Sequence, residues 1–348
     1  MNVTTYGVDL AKAVFQVHWV EPDDGEVKRK VLARGQFRAF FARQAPGVVA
    51  MEACGSAHHW GRSLSELGHQ VRLVPAQFVR PFVKTNKTDA ADAQAIWEAA
   101  QRPEMRFVAL KSAEQQAVLG LHRVRQLLVK QRTMQANQVR GLLYEFGVVV
   151  PKSWRALLAH TGPILADEAR RELPDLIRAE LRQQLQSLRG ITERIEQVEH
   201  GINAYRAQSE PCRRIEAIPG VGPLSSTAVL STVGDARAFR SGREFAAFLG
   251  LVPRQAGTGG RIRLLGISKR GDPYLRTLLI HGARTVLVQS SRPGRATPAW
   301  LQGLLARRPK NVAVVALANK MARTIWALLA HGRTYDKRWG VAMPVPVV

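Results

Sequence analysis

The chain has 348 residues and carries 51 lysines and arginines against 27 aspartates and glutamates, a formal net charge of +24. So basic a surface attracts polyanions, which argues against an ordinary metabolic enzyme and favours a nucleic-acid partner. The hydrophobic fraction of 46% suffices for two or three domains with apolar cores and excludes a disordered basic tail. Two cysteines, Cys54 and Cys212, exclude a disulfide scaffold and a multi-cysteine zinc module and are typical of a reducing cytoplasm.

The charge is distributed unevenly along the chain. Residues 1–105 hold 13 basic and 11 acidic side chains, a balance of +2, whereas residues 111–160 hold 8 and 2 and residues 237–295 hold 12 and 2. The two basic regions are therefore expected to bind phosphate backbones, and the neutral first third can use its acids for metal ions. The alternative is that the basic residues only keep the surface soluble.

The first hundred residues predict a mixed sheet covered by helices. TYGVDLA, AVFQVHWV and EVKRKVLA are β-branched and aromatic runs separated by turns, and VVAMEA and QVRLVP are two further strands. GQFRAFFARQ, HHWGRSLSELG and the alanine-rich stretch after residue 88 are predicted helices. The resulting order is β-β-β-α-β-α-β-α.

A long helical region follows. Residues 112–146 lack proline and predict a helix with a basic face. Residues 176–203 carry apolar residues seven apart, at Leu181, Leu188, Ile195 and Ile202. Ile191 and Val198 lie three residues after two of these positions, and Gln184 interrupts that second series. The pattern predicts a coiled-coil arm that packs either within the chain or between subunits.

The last third begins where Ser209, Glu210 and Pro211 break the arm. In AIPGVGPLSSTAVLSTVGD, Gly220 and Gly222 allow a turn with exposed amides before Pro223 starts a helix. This is typical of a helix-hairpin-helix that binds a phosphate, although a bare PGVG also occurs in ordinary tight turns. Then come a helix, REFAAFLGL, a glycine-rich loop, RQAGTGGRIR, and helices over residues 273–289 and VAVVALANKMARTIWALLAHG.

Basic side chains surround the glycine-rich loop, and we expect them to neutralise phosphates, the alternative being a solvated face. They are Arg254, Arg261, Arg263, Lys269, Arg270 and Arg276.

Four carboxylates of the neutral first third are candidate metal ligands. Asp9 follows the apolar residues YGV, Glu52 ends the apolar strand VVAM, and Asp89 and Asp92 lie three apart at a predicted helix start. Together they could hold two Mg²⁺ ions that flank a scissile phosphate. Alternatively Asp89 caps its helix and Glu52 is a surface acid, and spacing leaves both readings open.

Several long motifs resemble the DEDD-type insertion-sequence transposases, recombinases that are guided by a bridge RNA. The resemblance runs from about residue 3 to residue 335. It is carried by GVDLAKAVFQVHWVE, MEACGSAHHWGRSLSELGHQVRLVPAQFVRPFVKTNKTDAADAQAI, SAEQQAVLGLHRVRQLLVKQRT, IPGVGPLSSTAVL and FAAFLGLVPRQ with GRIRLLGISKRGDPYLRTLLIHGAR.

The resemblance implies a fold and a set of domains. These are a RuvC-like catalytic domain of RNase H fold over residues 1–110, a helical coiled-coil region over 111–208, a mainly helical transposase domain over 209–335 and a tail over 336–348. It also implies that Asp9, Glu52, Asp89 and Asp92 are the DEDD tetrad that holds Mg²⁺.

The resemblance implies a serine nucleophile in the loop after GLxPRQ, five residues beyond Pro253, where this chain has Thr258. The extra methyl group crowds an in-line attack, so either Thr258 serves as the nucleophile or this copy is catalytically weakened. The expected partners are donor and target DNA, a guide (bridge) RNA, and copies of the chain in a tetramer of dimers with composite sites. We expect a bacterial cytoplasmic protein that associates with the nucleoid.

Two other functions remain open on the sequence. A RuvC-like structure-specific endonuclease would use activated water and need no hydroxyl nucleophile. A non-catalytic nucleic-acid-binding protein would need neither the acids nor Thr258.

Overall fold

A computed structural model describes residues 3–83, 88–167, 173–293 and 297–336. The chain divides into two compact units: residues 1–116 with 233–235 form unit 1, and residues 117–232 with 236–348 form unit 2. Of the predicted tail, residues 337–348 lie outside the described residues.

Unit 1 contains a mixed five-stranded sheet. In chain order its elements are β1 (Thr5–Leu10), β2 (Val14–Val20), β3 (Val27–Ala33), α1 (Phe37–Phe41), β4 (Val48–Glu52), α2 (Ala57–Ser65), β5 (Gln70–Val74), α3 (Ala76–Val79) and α4 (Asp89–Ala100). The strand order is β3-β2-β1-β4-β5. β2 pairs antiparallel with β1 and β3, whereas β4 pairs parallel with β1 and β5. The predicted element order is confirmed, with α3 as an extra short helix, and the unit is consistent with an RNase H-like domain.

Each face of this sheet carries its own apolar core, because successive strand side chains point to opposite faces. On one face Val8 and Met51 pack with aromatic residues of α1 and with Trp60 of α2. On the other face Ala50 packs with the helix α4, whose small alanines allow a close approach. The second face is the one that bears the candidate acids.

Unit 2 is mainly helical. Its elements are α5 (Ala113–Glu145, whose first turn lies in unit 1), α6 (Trp154–Ala166), α7 (Asp175–Gln208), α8 (Glu210–Glu216), α9 (Pro223–Val233), α10 (Gly242–Phe248), β6 (Pro253–Thr258), β7 (Arg261–Ile267), α11 (Pro273–Ser290), α12 (Ala299–Leu305) and α13 (Lys310–His331). The sequence did not predict α6 or α12.

The predicted arm packs within the chain, antiparallel to α5. Arg125 of α5 donates to Glu199 of α7 at 2.6 Å, and farther along both helices Gln135 donates to the side chain of Gln184 at 2.7 Å. The buried positions of α7 are Arg178, Leu181, Leu185, Leu188, Thr192, Ile195 and Ile202. The prediction that the residues seven apart face the partner helix is confirmed. The second set of buried positions contains Leu185 and Thr192 rather than the predicted Ile191 and Val198. Gln184 is therefore not a break in the seam but a polar contact beside it.

The predicted glycine-rich loop was wrong, because RQAGTGGRIR lies in a β-hairpin. β6 and β7 pair antiparallel, and the two residues between them, Gly259 and Gly260, have φ angles of +57° and +79°. Positive φ at both central residues is what a two-residue hairpin turn of type I′ requires. The signal was present as a Gly-Gly pair next to the alternating residues of RIRLL.

α13 is the one helix of the described chain long and apolar enough to cross a membrane by length and composition. Its buried residues include Val314, Met321 and Ile325, and it packs against α10 and α11. α13 is thus a core helix of unit 2.

Candidate active site

Asp9 and Glu52 lie at the same edge of the sheet. The parallel pairing of β1 with β4 runs through Gly7 opposite Ala50 and Val8 opposite Met51. Asp9 and Glu52 are the next residues on the two strands, so the acids follow the last pair at the carboxyl ends of adjacent parallel strands. Gly7 and Ala50 lie on the face of the sheet that α4 covers. Because side chains two apart on a strand share a face, Asp9 and Glu52 lie on that face as well.

Helix α4 lies directly on β1. A Cβ atom at Gly7 would stand 2.6 Å from Cβ of Trp97, and would also overlap the carbonyl oxygen of Ala93. Near the start of β1, Nε1 of Trp97 donates to the carbonyl oxygen of Thr5 at 2.9 Å. The helix therefore runs antiparallel to the strand, and its N-terminus points towards the end that carries Asp9.

Asp89 and Asp92 lie at that N-terminus. From Ala93 back to Asp89 is about 6 Å of helix, and from Gly7 on to Asp9 is about 6.6 Å of strand. Residues three or four apart lie on one side of a helix. Asp89 therefore lies on the same side as the buried residues Ala93 and Ile96, and Asp92 on the same side as the buried residues Ala95 and Ala99. Both acids thus lie on the sheet-facing side of α4, level with the strand ends. The helix N-cap is Thr88, whose hydroxyl accepts from the amide of Ala91 at 3.2 Å, so Asp89 is not the cap.

The backbone brings the four acids to one edge, but the side chains are not gathered around one point. Asp9, Glu52 and Asp92 are half-buried and Asp89 is exposed. Within residues 3–83, 88–167, 173–293 and 297–336, no three histidine, cysteine, aspartate or glutamate side chains form a metal-binding group. The donor set itself fits Mg²⁺, which prefers carboxylate oxygens. The tetrad stays a prediction that the fold of unit 1 accommodates.

The hairpin places Thr258 on the same face as two arginines. Thr258 lies opposite Arg261, and Ala256 lies opposite Arg263. Because side chains two apart on a strand share a face, the hydroxyl of Thr258 and the guanidinium groups of Arg261 and Arg263 project to one side. Every residue of β6 is exposed. A hydroxyl beside two cations on an open strand end can meet a phosphodiester, whose charge the arginines would neutralise.

The remaining basic residues lie at the base of the hairpin. Lys269 and Arg270 are exposed on a turn that backbone hydrogen bonds fix: Ser268 donates to the carbonyl of Val252 at 2.8 Å, and Lys269 donates to that of Gly250 at 3.2 Å. Arg276 donates to the carbonyl oxygen of Leu249 at 3.1 Å, so part of its guanidinium braces the turn.

The helix-hairpin-helix prediction falls on α8, the turn and α9. Arg206 of α7 forms an ion pair with Glu216 at 2.7 Å, and Ser226 of α9 donates to the same carboxylate at 2.6 Å. The two glycines of the turn differ. A Cβ at Gly220, where φ is +88°, would stand 2.7 Å from the carbonyl oxygen of Gly282 in α11, whereas a Cβ at Gly222 would meet nothing within 4 Å. Gly220 is thus required by packing, and Gly222 is open to a ligand.

A buried histidine connects three helices, α5, α9 and α11, beside this turn. His122 of α5 is 1% exposed, and its Nδ1 lies 2.8 Å from the hydroxyl of Tyr274 of α11. Its Nε2 lies 3.0 Å from the hydroxyl of Thr227 of α9, which itself donates to the carbonyl of Pro223 at 2.6 Å. Nε2–H is therefore the donor to Thr227, and Nδ1 accepts from Tyr274. Burial first, and the Arg125 guanidinium on α5 second, lower the pKa of His122 to about 4.

Two family models match the chain. A DEDD-type transposase model of the IS110 group matches residues 6–147, which include all four acids. A model described as "Transposase IS116/IS110/IS902 family" matches residues 212–297, which include the turn at Gly220 and the hairpin.

Similar proteins extend over nearly the whole chain. A "probable family 20 transposase" of Pseudomonas aeruginosa is 53% identical over 340 residues, which cover 96% of this chain and 99% of that protein. The transposase for insertion sequence element IS1111A of Coxiella burnetii is 42% identical over 96% of this chain and 92% of its own length. The transposase for insertion sequence element IS1328 of Yersinia enterocolitica is 40% identical over 97% of this chain and 99% of its own length. These matches confirm the resemblance, and the chain belongs to the IS116/IS110/IS902 family of insertion-sequence transposases.

Proposed function

We propose that this transposase cuts and rejoins DNA through a covalent link between Thr258 and a DNA phosphate, with Mg²⁺ held by Asp9, Glu52, Asp89 and Asp92. The observation that carries the proposal is the hairpin face on which Thr258 stands with Arg261 and Arg263. A nuclease that uses water has no need of a hydroxyl in such surroundings.

The four acids would act as oxygen ligands at the carboxyl edge of the sheet. Bound Mg²⁺ supplies charge neutralisation at the scissile phosphate. Asp9 and Glu52 would be held by strands whose register the core fixes, and Asp89 and Asp92 by the first turn of a helix that Gly7 lets lie on the sheet. Rigid backbone elements position ligands more accurately than loops do.

Thr258 would act by transesterification. Its hydroxyl oxygen forms a bond to phosphorus while the bond from phosphorus to a deoxyribose oxygen breaks, and the released strand end takes up one proton for the one that Thr258 loses. The number of phosphoester bonds is conserved, so the reverse step rejoins strands without an energy source. The charge that develops on the phosphate is met by Arg261 and Arg263.

The partners in this proposal are donor and target DNA and a guide (bridge) RNA. The surplus of +24, concentrated outside the near-neutral first third, supports a nucleic-acid load larger than a single duplex. The acids that would bind the metal belong to unit 1 and Thr258 to unit 2, which favours composite sites between subunits, and the tetramer of dimers is what the family resemblance implies. The predicted domains, 1–110, 111–208 and 209–335, and a cytoplasmic, nucleoid-associated location complete the proposal.

Trapping on a denaturing gel tests the mechanism. The full chain, its element-end DNA, the RNA encoded beside the element and Mg²⁺ should give a protein–DNA adduct. We expect Thr258→Ala to lower adduct formation at least about 10³-fold and Thr258→Ser to keep it. Thr277→Ala, a change at another exposed threonine whose hydroxyl donates to the carbonyl of Pro273, is the matched control. Cleavage without an adduct, with Thr258→Ala as active as the parent, would establish an endonuclease instead.

A further inference from the structure

The hairpin has a second face, and it is apolar. Ile262 is 71% exposed and Leu264 is 62% exposed. In the register of the hairpin Ile262 lies opposite Gly257, and Leu264 lies opposite Gln255. These residues alternate with Arg261 and Arg263, so they project away from the Thr258 face. Two large apolar side chains so exposed on one short ribbon call for a partner.

The ribbon is thin at the end that carries Ile262. Gly257 leaves Ile262 without a side chain directly across the ribbon, and the turn beyond it consists of Gly259 and Gly260, around which an added Cβ would meet nothing within 4 Å. The tip of the hairpin is therefore narrow, and Ile262 is the large apolar side chain nearest to the turn.

The charge of the ribbon indicates which partner it meets. Residues 253–267 contain three arginines, Arg254, Arg261 and Arg263, and no acidic residue. A cationic ribbon with a single apolar wedge matches nucleic acid, where arginines lie along phosphates and an isoleucine or leucine can enter between bases. A protein interface would need about 800 Å² from each partner, far more than two side chains of a two-stranded ribbon supply.

We propose that the hairpin is a strand-separating pin for duplex DNA at the cleavage site. Ile262 stacks on a base that the pin has unpaired, Leu264 extends that apolar contact, and the opposite face holds the backbone of the strand to be cut. The inference rests on the proposed function, because it takes Thr258 as the group that meets the scissile phosphate.

The distances within the ribbon agree with this arrangement. Thr258 pairs with Arg261, so the Cα atom of the next residue, Ile262, lies about 5 to 7 Å from that of Thr258. The two side chains project from opposite faces, so the groups that they contact lie farther apart, about 10 Å, or about three nucleotide steps of 3.4 Å. The unpaired base would therefore lie within about three nucleotides of the attacked phosphate. A guide RNA can pair only with DNA bases that are not paired with the opposite strand.

Base unstacking is the direct readout. A duplex with the element end is labelled with 2-aminopurine at each position within three nucleotides of the cleavage site, and its fluorescence is followed on addition of the full chain. The parent should raise the fluorescence several-fold at one position. Ile262→Ser should abolish that rise and lower adduct formation on the duplex about tenfold, while Ile262→Phe should retain both. Val312→Ser, at a valine that is 49% exposed on α13, is the matched control.

A pre-melted substrate separates this inference from the proposed function. On a duplex mismatched at the labelled step, Ile262→Ser should form the adduct as fast as the parent, because the bases there are unpaired before the protein binds. If Ile262→Ser unstacks and reacts on the intact duplex like the parent, the pin is wrong. If Ile262→Ser instead lowers the molar mass of the DNA-free protein in light scattering, a second copy of the chain covers this face, and the proposal that the hairpin separates strands is also wrong. Failure of the parent to form an adduct on both substrates, with normal fluorescence, would overturn the mechanism of Thr258 and leave the pin standing.

Discussion

At position 258 the difference from the serine that the resemblance implies is one methyl group. Threonine favours extended backbone, and Thr258 is the last residue of a strand in which every side chain is exposed. The strand thus provides both a conformation that suits threonine and open space for its methyl group. For this physical reason we propose Thr258 as the nucleophile and expect no weakened enzyme.

His122 gives a prediction for the pH dependence of stability. Its pKa is about 4 in the folded chain against 6.5 for an ordinary histidine. Between these values the unfolded chain binds the extra proton, so the free energy of unfolding falls as the pH falls from 6.5 to 4, by up to about 3 kcal/mol from this group. Replacing His122 by Gln should flatten that part of the curve in urea unfolding measured at several pH values.

The control for this prediction is His200→Gln, at an exposed histidine of α7. It should leave the dependence on pH as in the parent. Curves for the parent and His122→Gln that run parallel between pH 6.5 and 4 would contradict the assignment of a neutral, buried His122.

At the scale of helices and strands, local sequence patterns correctly predicted the elements that do not depend on packing against a neighbouring element. The strands of unit 1 and the helix α5 followed from apolar runs and from the absence of proline. The second set of buried positions in α7 could not be predicted in this way, because burial of Leu185 rather than Ile191 depends on which side of the helix α5 covers. The hairpin was missed because the residues of its first strand, PRQAGT, are small or polar, and its Gly-Gly turn signal was taken for a loop. α12 has only seven residues and no strong cap, so the sequence gives it little signal.

The turn before α9 yields a paired prediction. Gly220→Ala should lower the free energy of unfolding by about 1 to 3 kcal/mol, because it puts a side chain at φ +88° and against the backbone of α11. Gly222→Ala should leave the unfolding energy within about 0.5 kcal/mol of the parent. If the turn binds a phosphate, the methyl group at position 222 should weaken DNA binding in a fluorescence anisotropy titration at fixed salt. Unchanged affinity would exclude a phosphate contact at Gly222.

For the whole molecule, the charge predicted the kind of partner but not the site. The positions of Asp9 and Glu52 at strand ends followed from the sequence. Their common edge with Asp89 and Asp92 depends on the parallel pairing of β1 with β4 and on the direction of α4 across Gly7. Neither is encoded in a local pattern, since both arise from long-range packing.

In the mechanism that we propose, the acids of unit 1 and the hydroxyl of Thr258 in unit 2 act in one reaction. Mass spectrometry of the nuclease-trimmed adduct tests it most directly, because trypsin releases residues 255–261, QAGTGGR, in which Thr258 is the only hydroxyl side chain. We predict a nucleotide on this peptide for the parent with Mg²⁺, reduced at least about 100-fold by Asp9→Asn or by chelation of the metal. A nucleotide on another peptide, such as the one that contains Ser268, or an equal yield from Asp9→Asn, would show that the proposed mechanism is wrong.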